Sequence, residues 1–200
     1  MFKTSIDAAI IAGGLGTRLD GADKGLLEWG KQRFAEHIAQ KLRPYTENLI
    51  INCNRNLPRY GIIADILVHD EDKTFAGPLA GLLSVIKGSD ANYVLTSPCD
   101  TPLIPDDYAP RMLAVLQQNP NRLIVAHDGS QLQPLHLLLP TNLEDNMRAY
   151  LNSGKRKLTS WLILQSPVFC NFSDAAADFL NVNSPQEFNE LRNLTEKHSE

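Results

Sequence analysis

Five glycines, at positions 13, 14, 16, 21 and 25, crowd into one stretch with the cations Arg18 and Lys24. That stretch directly follows the apolar run Ile6 to Ala12. Glycines allow close backbone approach, so successive N–H groups can converge on phosphate oxygens. Arginine can then grip a phosphate with two parallel hydrogen bonds, and lysine adds a point charge. Two common phosphate loops are excluded by spacing. A Walker loop needs Gly-Lys-Ser/Thr, whereas Lys24 stands between Asp23 and Gly25, and a dinucleotide fingerprint needs a small residue where Leu19 stands. The competing reading is a glycine-rich surface turn with incidental charges, but a buried-type strand before it and paired cations favour phosphate binding.

A second candidate is Asp100 in Pro98-Cys99-Asp100-Thr101-Pro102, which follows an apolar segment and is stiffened by prolines at 98, 102 and 105. A hard cation such as Mg²⁺ is held by one or two carboxylates, waters and substrate phosphates, so one fixed aspartate suffices in principle. A turn residue or helix cap is equally consistent with the spacing. Asn52 and Asn54 bring amides suited to a nucleobase or ribose, with turn capping as the alternative. Cys99 has no readable histidine partner and reads as a small buried residue. The five histidines lack metal-ligand spacing, and His136, in an apolar segment, reads as a satisfied core histidine. Lys155-Arg156-Lys157 suits an anionic phosphate or a solvated helix face equally.

The elements that must position these residues alternate between strand and helix. Ile6 to Ala12 predicts a strand buried on both faces. Phe34, Ile38 and Leu42 predict a helix ended by Pro44, followed by strands over Asn48 to Cys53 and Ile66 to His69. Gly77-Pro78 opens a helix closed by Gly88, Tyr93 to Thr96 is a strand, and Pro105-Asp106-Asp107 opens another helix. Leu123 to Ala126 and Leu132 to Leu139 flank Asp128-Gly129, a hairpin signal. Met147 to Leu164 predicts helix in two pieces broken near Gly154, then a strand over Val168 to Phe172. Ser184-Pro185-Gln186-Glu187 is a capping box for a last helix. Such alternation predicts an α/β fold with a parallel sheet, whose ligands sit beyond the carboxyl ends of the strands.

Two hundred residues, 43% of them hydrophobic, predict one compact domain over 1–200 with a frayed tail at about 195–200. A net charge of -4 provides no general attraction for nucleic acid or anionic membranes. No run reaches the length of a membrane span. Three scattered cysteines and an N-terminal segment interrupted by Asp7 predict a soluble cytoplasmic protein without a signal peptide. We expect a monomer.

Ala12-Gly13-Gly14, Arg18 and the compact Asp23-Lys24-Gly25-Leu26-Leu27, together with Pro98 to Pro102, resemble the molybdenum cofactor guanylyltransferases of the nucleotide-diphospho-sugar transferase superfamily. Leu19-Asp20 departs from the Met-Gly usual there. The resemblance implies a single three-layer Rossmann-like domain with a mostly parallel central sheet and a small antiparallel element. It implies transfer of GMP from GTP to the terminal phosphate of molybdopterin, with Mg²⁺ as cofactor and release of pyrophosphate. Arg18, Lys24 and Asp100 would be catalytic, with Asp100 on the metal. Ile11, Ala12, Gly13, Gly14, Asn52 and Asp70 would join Lys24 and Asp100 in binding nucleotide, Asn54 competing with Asn52 and an exposed loop carboxylate being the plainer reading of Asp70. Gly77 and Gly81 of Gly-Pro-Leu-Ala-Gly, and Asn181 and Asn183, would face the acceptor. Partners would be GTP, molybdopterin, other molybdenum cofactor biosynthesis proteins and molybdoenzyme chaperones. The alternatives are a relative using CTP or a sugar-phosphate acceptor, and a non-catalytic nucleotide-binding regulatory subunit.

Overall fold

The computed structural model describes residues 4–14, 22–70 and 77–196. In chain order the elements are β1 (Ile6–Ile11), β2 (Glu28–Trp29), β3 (Gln32–Arg33), α1 (Phe34–Leu42), β4 (Leu49–Asn52), α2 (Leu57–Tyr60), β5 (Ile66–Val68), α3 (Pro78–Lys87), β6 (Tyr93–Pro98), α4 (Tyr108–Gln118), β7 (Ile124–His127), β8 (Leu132–Pro140), α5 (Glu144–Asn152), α6 (Leu158–Leu164), β9 (Val168–Asn171) and α7 (Pro185–Glu196). The main sheet runs β5-β4-β1-β6-β8-β7-β9, and β2 and β3 form a separate antiparallel pair. The fold is thus α/β with a mostly parallel seven-stranded sheet. The one antiparallel member is β8, which pairs with both β6 and β7.

Why β1 is apolar throughout follows from its place between β4 and β6, with helices on both faces. Ala8, Ile10 and Ala12 face the core under α1 and α4, where Ile38, Leu42 and Met112 pack. Ala9 and Ile11 face the opposite core, under α3, α5 and α6, with Leu82, Met147 and Trp161. This alternation on the two faces makes three layers. Asp7, although 1% exposed, is satisfied: one carboxylate oxygen accepts the backbone and side-chain N–H groups of Asn48, and the other accepts the Ser89 hydroxyl at 2.6 Å.

The predicted strands and helices are present with shifts of a few residues at their ends. The helix predicted from Pro105 starts later, at Tyr108, because the Pro105 carbonyl first closes a turn by accepting the Tyr108 N–H at 3.0 Å. Asp107 stands at the cap position and pairs with Arg111 one turn on, at 2.7 Å. The expected hairpin is β7–β8, which the sheet incorporates between β6 and β9 rather than at an edge. At the last helix the capping box is complete. Ser184 Oγ accepts the Glu187 N–H at 3.2 Å, and Glu187 Oε2 accepts the Ser184 N–H at 2.8 Å. The tail expected to fray from Thr195 begins inside α7, and residues 197–200 lie outside the described residues. Among the described residues no helix is long and apolar enough to cross a membrane.

Candidate active site

Sheet register brings the chemistry together. Ile11 stands opposite Asn52 on one side and Pro98 on the other, and Asn52 stands opposite Val68. Four strands therefore end on one line, and the residues that follow them, Gly13, Asn54, Asp70 and Asp100, emerge along one sheet edge. The chain leaves β1 for β4 on one side and returns to β6 on the other, which makes the β1/β6 end a switch point where α/β sheets open a crevice. A cleft of roughly 500 Å³ lies there. Ile11, Ala12, Gly13, Gly14, Lys24, Asn52, Asp70, Gly77, Gly81, Asp100 and Asn183 all line it. Arg18 lies outside the described residues. Asn181 is exposed and is not part of the lining.

Lys24 is the meeting point of three distant segments. Its ammonium donates to Asp100 Oδ2 at 2.9 Å and to Asn183 Oδ1 at 2.5 Å. The residue before it explains how a loop residue is aimed so closely. Asp23 has a carboxylate only 7% exposed, which accepts the Tyr60 hydroxyl on Oδ1 and the Asn56 amide on Oδ2 at 2.9 Å, with the Arg55 guanidinium 3.6 Å from Oδ2. Burial raises the Tyr60 hydroxyl pKa far above its usual value, so the proton stays on the phenol and is donated. Gly25 completes the fit, since a Cβ there would lie 2.5 Å from the Tyr60 hydroxyl. Sequence reading missed the Asp23 anchor. The signal available was a carboxylate inside a phosphate-binding loop, where an unpaired one repels the ligand.

Asn52, Asn54 and Asp70 form the opposite wall. Asp70 accepts the Asn52 amide on Oδ1 at 3.0 Å and the Asn54 amide on Oδ2 at 2.8 Å, while its N–H donates to Asn54 Oδ1 at 3.0 Å. Asn54 also donates to the Gly13 carbonyl at 3.1 Å, so both asparagines belong to one network. Asn52 is fully buried, and its Oδ1 has no protein partner among the described residues. A Cβ at Gly13 would stand 2.7 Å from that oxygen and one at Gly81 2.6 Å from it, so both glycines are required by the close approach. Gly77 and Gly81 belong to the start of α3, whose positive dipole end opens on the cleft.

The Asp100 loop is braced from beneath. The Thr101 hydroxyl lies 3.1 Å from His136 Nε2 and 3.3 Å from the Pro98 carbonyl. Burial holds His136 down to about 3, so it stays neutral, packed edge-on against Tyr108 and Phe179. Cys99 is buried, and desolvation, reinforced by the Asp100 charge, pushes its thiol well above the usual range, which disqualifies it as a nucleophile. The Val182 N–H donates to the Asp100 carbonyl at 2.8 Å. Val182 itself is buried in a small separate core with Trp29, Phe34 and Leu191. The Lys155-Arg156-Lys157 run lies between α5 and α6, outside the cleft lining, with Arg156 on the Leu151 carbonyl at 2.6 Å.

For Mg²⁺ the donor set is minimal. No cluster of three or more metal-ligating side chains exists among the described residues, and Asp23 is committed to its anchor. Asp100 offers a hard oxygen donor whose side chain is 19% exposed on the cleft, and Lys24 engages its Oδ2. One carboxylate beside a phosphate-sized space fits a cation that takes its remaining ligands from substrate phosphates and water.

Comparison with known proteins agrees with this geometry. The family profile described as "MobA-like NTP transferase domain" matches residues 8–168. A protein named molybdenum cofactor guanylyltransferase from Shewanella sp. (strain W3-18-1) is 40% identical over 185 residues, covering 92% of this chain and 94% of its own. One of the same name from Shewanella loihica is 39% identical over 186 residues, covering 93% and 95%. Among solved structures, molybdopterin-guanine dinucleotide biosynthesis protein A from Archaeoglobus fulgidus superposes with a TM-score of 0.77 at 16% identity, over 96% of this chain and 99% of its own. A 4-diphosphocytidyl-2C-methyl-D-erythritol synthase from Anaerococcus prevotii gives 0.73 at 11% identity, over 96% of each chain, which speaks for the shared fold alone. The chain belongs to the molybdenum cofactor guanylyltransferase family of MobA-like NTP transferases.

Proposed function

We propose that this protein transfers GMP from GTP to the terminal phosphate of molybdopterin, forming molybdopterin guanine dinucleotide and pyrophosphate. The observation that carries the reading is the Lys24–Asp100 pair, 2.9 Å apart, in the cleft that Gly13 and Gly14 also line. Guanine and pterin as the two substrates rest on the names of the relatives.

A phosphate attacker is ionised near neutral pH, so no protein base or nucleophile is needed, and positioning plus charge stabilisation are what the chain supplies. An acceptor oxygen attacks the α-phosphorus in line and the bond to the pyrophosphate oxygen breaks. Lys24 places its charge on the triphosphate, the Gly13-Gly14 backbone provides close approach, and Asp100 would hold a divalent cation. Bound Mg²⁺ would offset the charge that builds on the transferring and leaving oxygens. Asp70 and Asn54 keep the buried Asn52 amide turned, and with it the wall of the cleft against Gly13 and Gly81. Soluble catalysis in the cytoplasm by a single-domain monomer completes the reading.

Incubation with each of the four triphosphates, molybdopterin and Mg²⁺, followed by product analysis, tests it. GMP incorporation that stops when Mg²⁺ is chelated is expected. CMP incorporation without GMP, or nucleotide binding without any product, overturns it in favour of a cytidylyltransferase or a regulatory subunit.

A further inference from the structure

We infer that Glu187, outside the cleft on the first turn of α7, is a positioning residue for Lys24 and acts through the backbone of Asn183. A capping box needs only the reciprocal pair between Ser184 and Glu187. Here the carboxylate reaches one residue further. Glu187 Oε2 accepts the Asn183 N–H at 2.6 Å, a shorter contact than the 2.8 Å to the Ser184 N–H that closes the cap. Asn183 is thereby clamped where its side-chain Oδ1 receives the Lys24 ammonium at 2.5 Å. One residue earlier, Val182 is fixed twice, by its N–H on the Asp100 carbonyl and by burial of its side chain against Trp29, Phe34 and Leu191. The segment from Val182 to Glu187 therefore touches both members of the Lys24–Asp100 pair. It determines how the ammonium is shared between a carboxylate and a neutral amide. The Asn183 N–H, foremost, and the Ser184 donors hold the Glu187 carboxyl below its ordinary range, with the Lys24 charge contributing, so the acceptor is ionised at neutral pH.

The link does not follow from helix capping alone, and it separates two roles. Losing the cap destabilises the helix start. Losing the bond to Asn183 frees Lys24. The consequence for nucleotide binding rests on the proposed role of Lys24, whereas the positioning of Lys24 can be read without any nucleotide.

The test uses the full chain and its variants Glu187→Ala, Glu187→Gln, Ser184→Ala and Asn183→Ala. The first readout is acylation of Lys24 by acetic anhydride in nucleotide-free protein, mapped by mass spectrometry. With Asn183 no longer clamped, the ammonium loses a fixed acceptor and the amine is more accessible, so labelling in Glu187→Ala should rise about threefold to tenfold. Glu187→Gln keeps an oxygen acceptor and should label like the parent. Ser184→Ala should melt earlier with Lys24 labelling unchanged. In the Asn183→Ala background the Glu187→Ala effect should vanish, since both act on the same contact. Unchanged labelling in Glu187→Ala, an equal rise in Ser184→Ala or additive effects with Asn183→Ala overturn the inference. The second readout is GTP binding with Mg²⁺ by calorimetry, where Glu187→Ala should weaken the parent's affinity about fivefold and Glu187→Gln should not. A parent that binds no GTP defeats the functional proposal, and the labelling still decides the role of Glu187.

Discussion

Lys24 is shared between Asp100 at 2.9 Å and Asn183 at 2.5 Å, while Asp23 beside it is consumed by Tyr60, Asn56 and Arg55. Adjacent residues of opposite charge thus have different tasks: both line the cleft, but Lys24 reaches across to Asp100 and Asn183 while the Asp23 carboxylate is held by residues 55–60. Lys24→Ala and Asp100→Asn should each lower turnover about a hundredfold or more while the melting temperature stays close to the parent's, because both side chains act on transition-state charge from loops. Steady-state kinetics and thermal unfolding of the purified variants check this, and near-parent turnover in either would contradict the assignment. Tyr60→Phe behaves differently. It leaves a buried carboxylate short of a donor, which costs about 1–3 kcal/mol and should lower both the unfolding midpoint and turnover, read by urea titration. The cleft positions of Lys24 and Asp100 were legible in the sequence because glycine density and proline-stiffened loops leave local patterns. The Asp23 anchor was not, since its partners lie at residues 55–60, a separation that no local pattern spans.

Element boundaries show where local pattern is sufficient. Strands β1, β4 and β6 were readable because burial on both faces leaves continuous apolar runs, and α3 because Gly77-Pro78 and Gly88 bracket it. The pair β2–β3 was not, since strands of two residues carry no periodicity. Nor did the hairpin signal at Asp128-Gly129 reveal that β8 would pair on its other side with β6. A turn sequence fixes one partner of a strand and is silent about the second. Inside α3, Gly81 contradicts helix propensity, where alanine is favoured by about 1 kcal/mol. The Asn52 oxygen explains it, because a Cβ would stand 2.6 Å away. Gly81→Ala should therefore fail to raise the melting temperature and should weaken GTP binding by about tenfold as Asn52 is displaced, measured by calorimetry.

Across the whole molecule, a seven-stranded sheet between two helical layers presents one functional edge, the carboxyl ends of β1, β4, β5 and β6. His136 on β8 underlies that edge and gives the fold a pH signature. Its folded-state pKa is lowered to about 3 by burial, whereas an exposed histidine titrates near 6.5. The unfolded chain therefore takes up a proton first. The contribution is complete above about pH 6.5 and is lost as pH falls toward 3, at up to about 1.4 kcal/mol per pH unit. Urea titrations between pH 7.5 and 4.5 should show that slope in the parent and a shallower one in His136→Gln, which can still reach Thr101. Equal slopes would remove His136 from the account.

The small core of Trp29, Phe34, Val182 and Leu191 joins segments from opposite ends of the chain. On a ribosome these are made at very different times. Every strand of the main sheet precedes residue 172, so a growing chain acquires the means to fold its scaffold well before Val182 and Asn183 emerge. A chain stopped at residue 180 would hold the glycine turn and Asp100 yet leave Lys24 without its amide partner. Only a chain carried through α7 supplies both Asn183 and the Glu187 that holds it, so a chain cut short before residue 182 should lack the contacts that place the Lys24 ammonium.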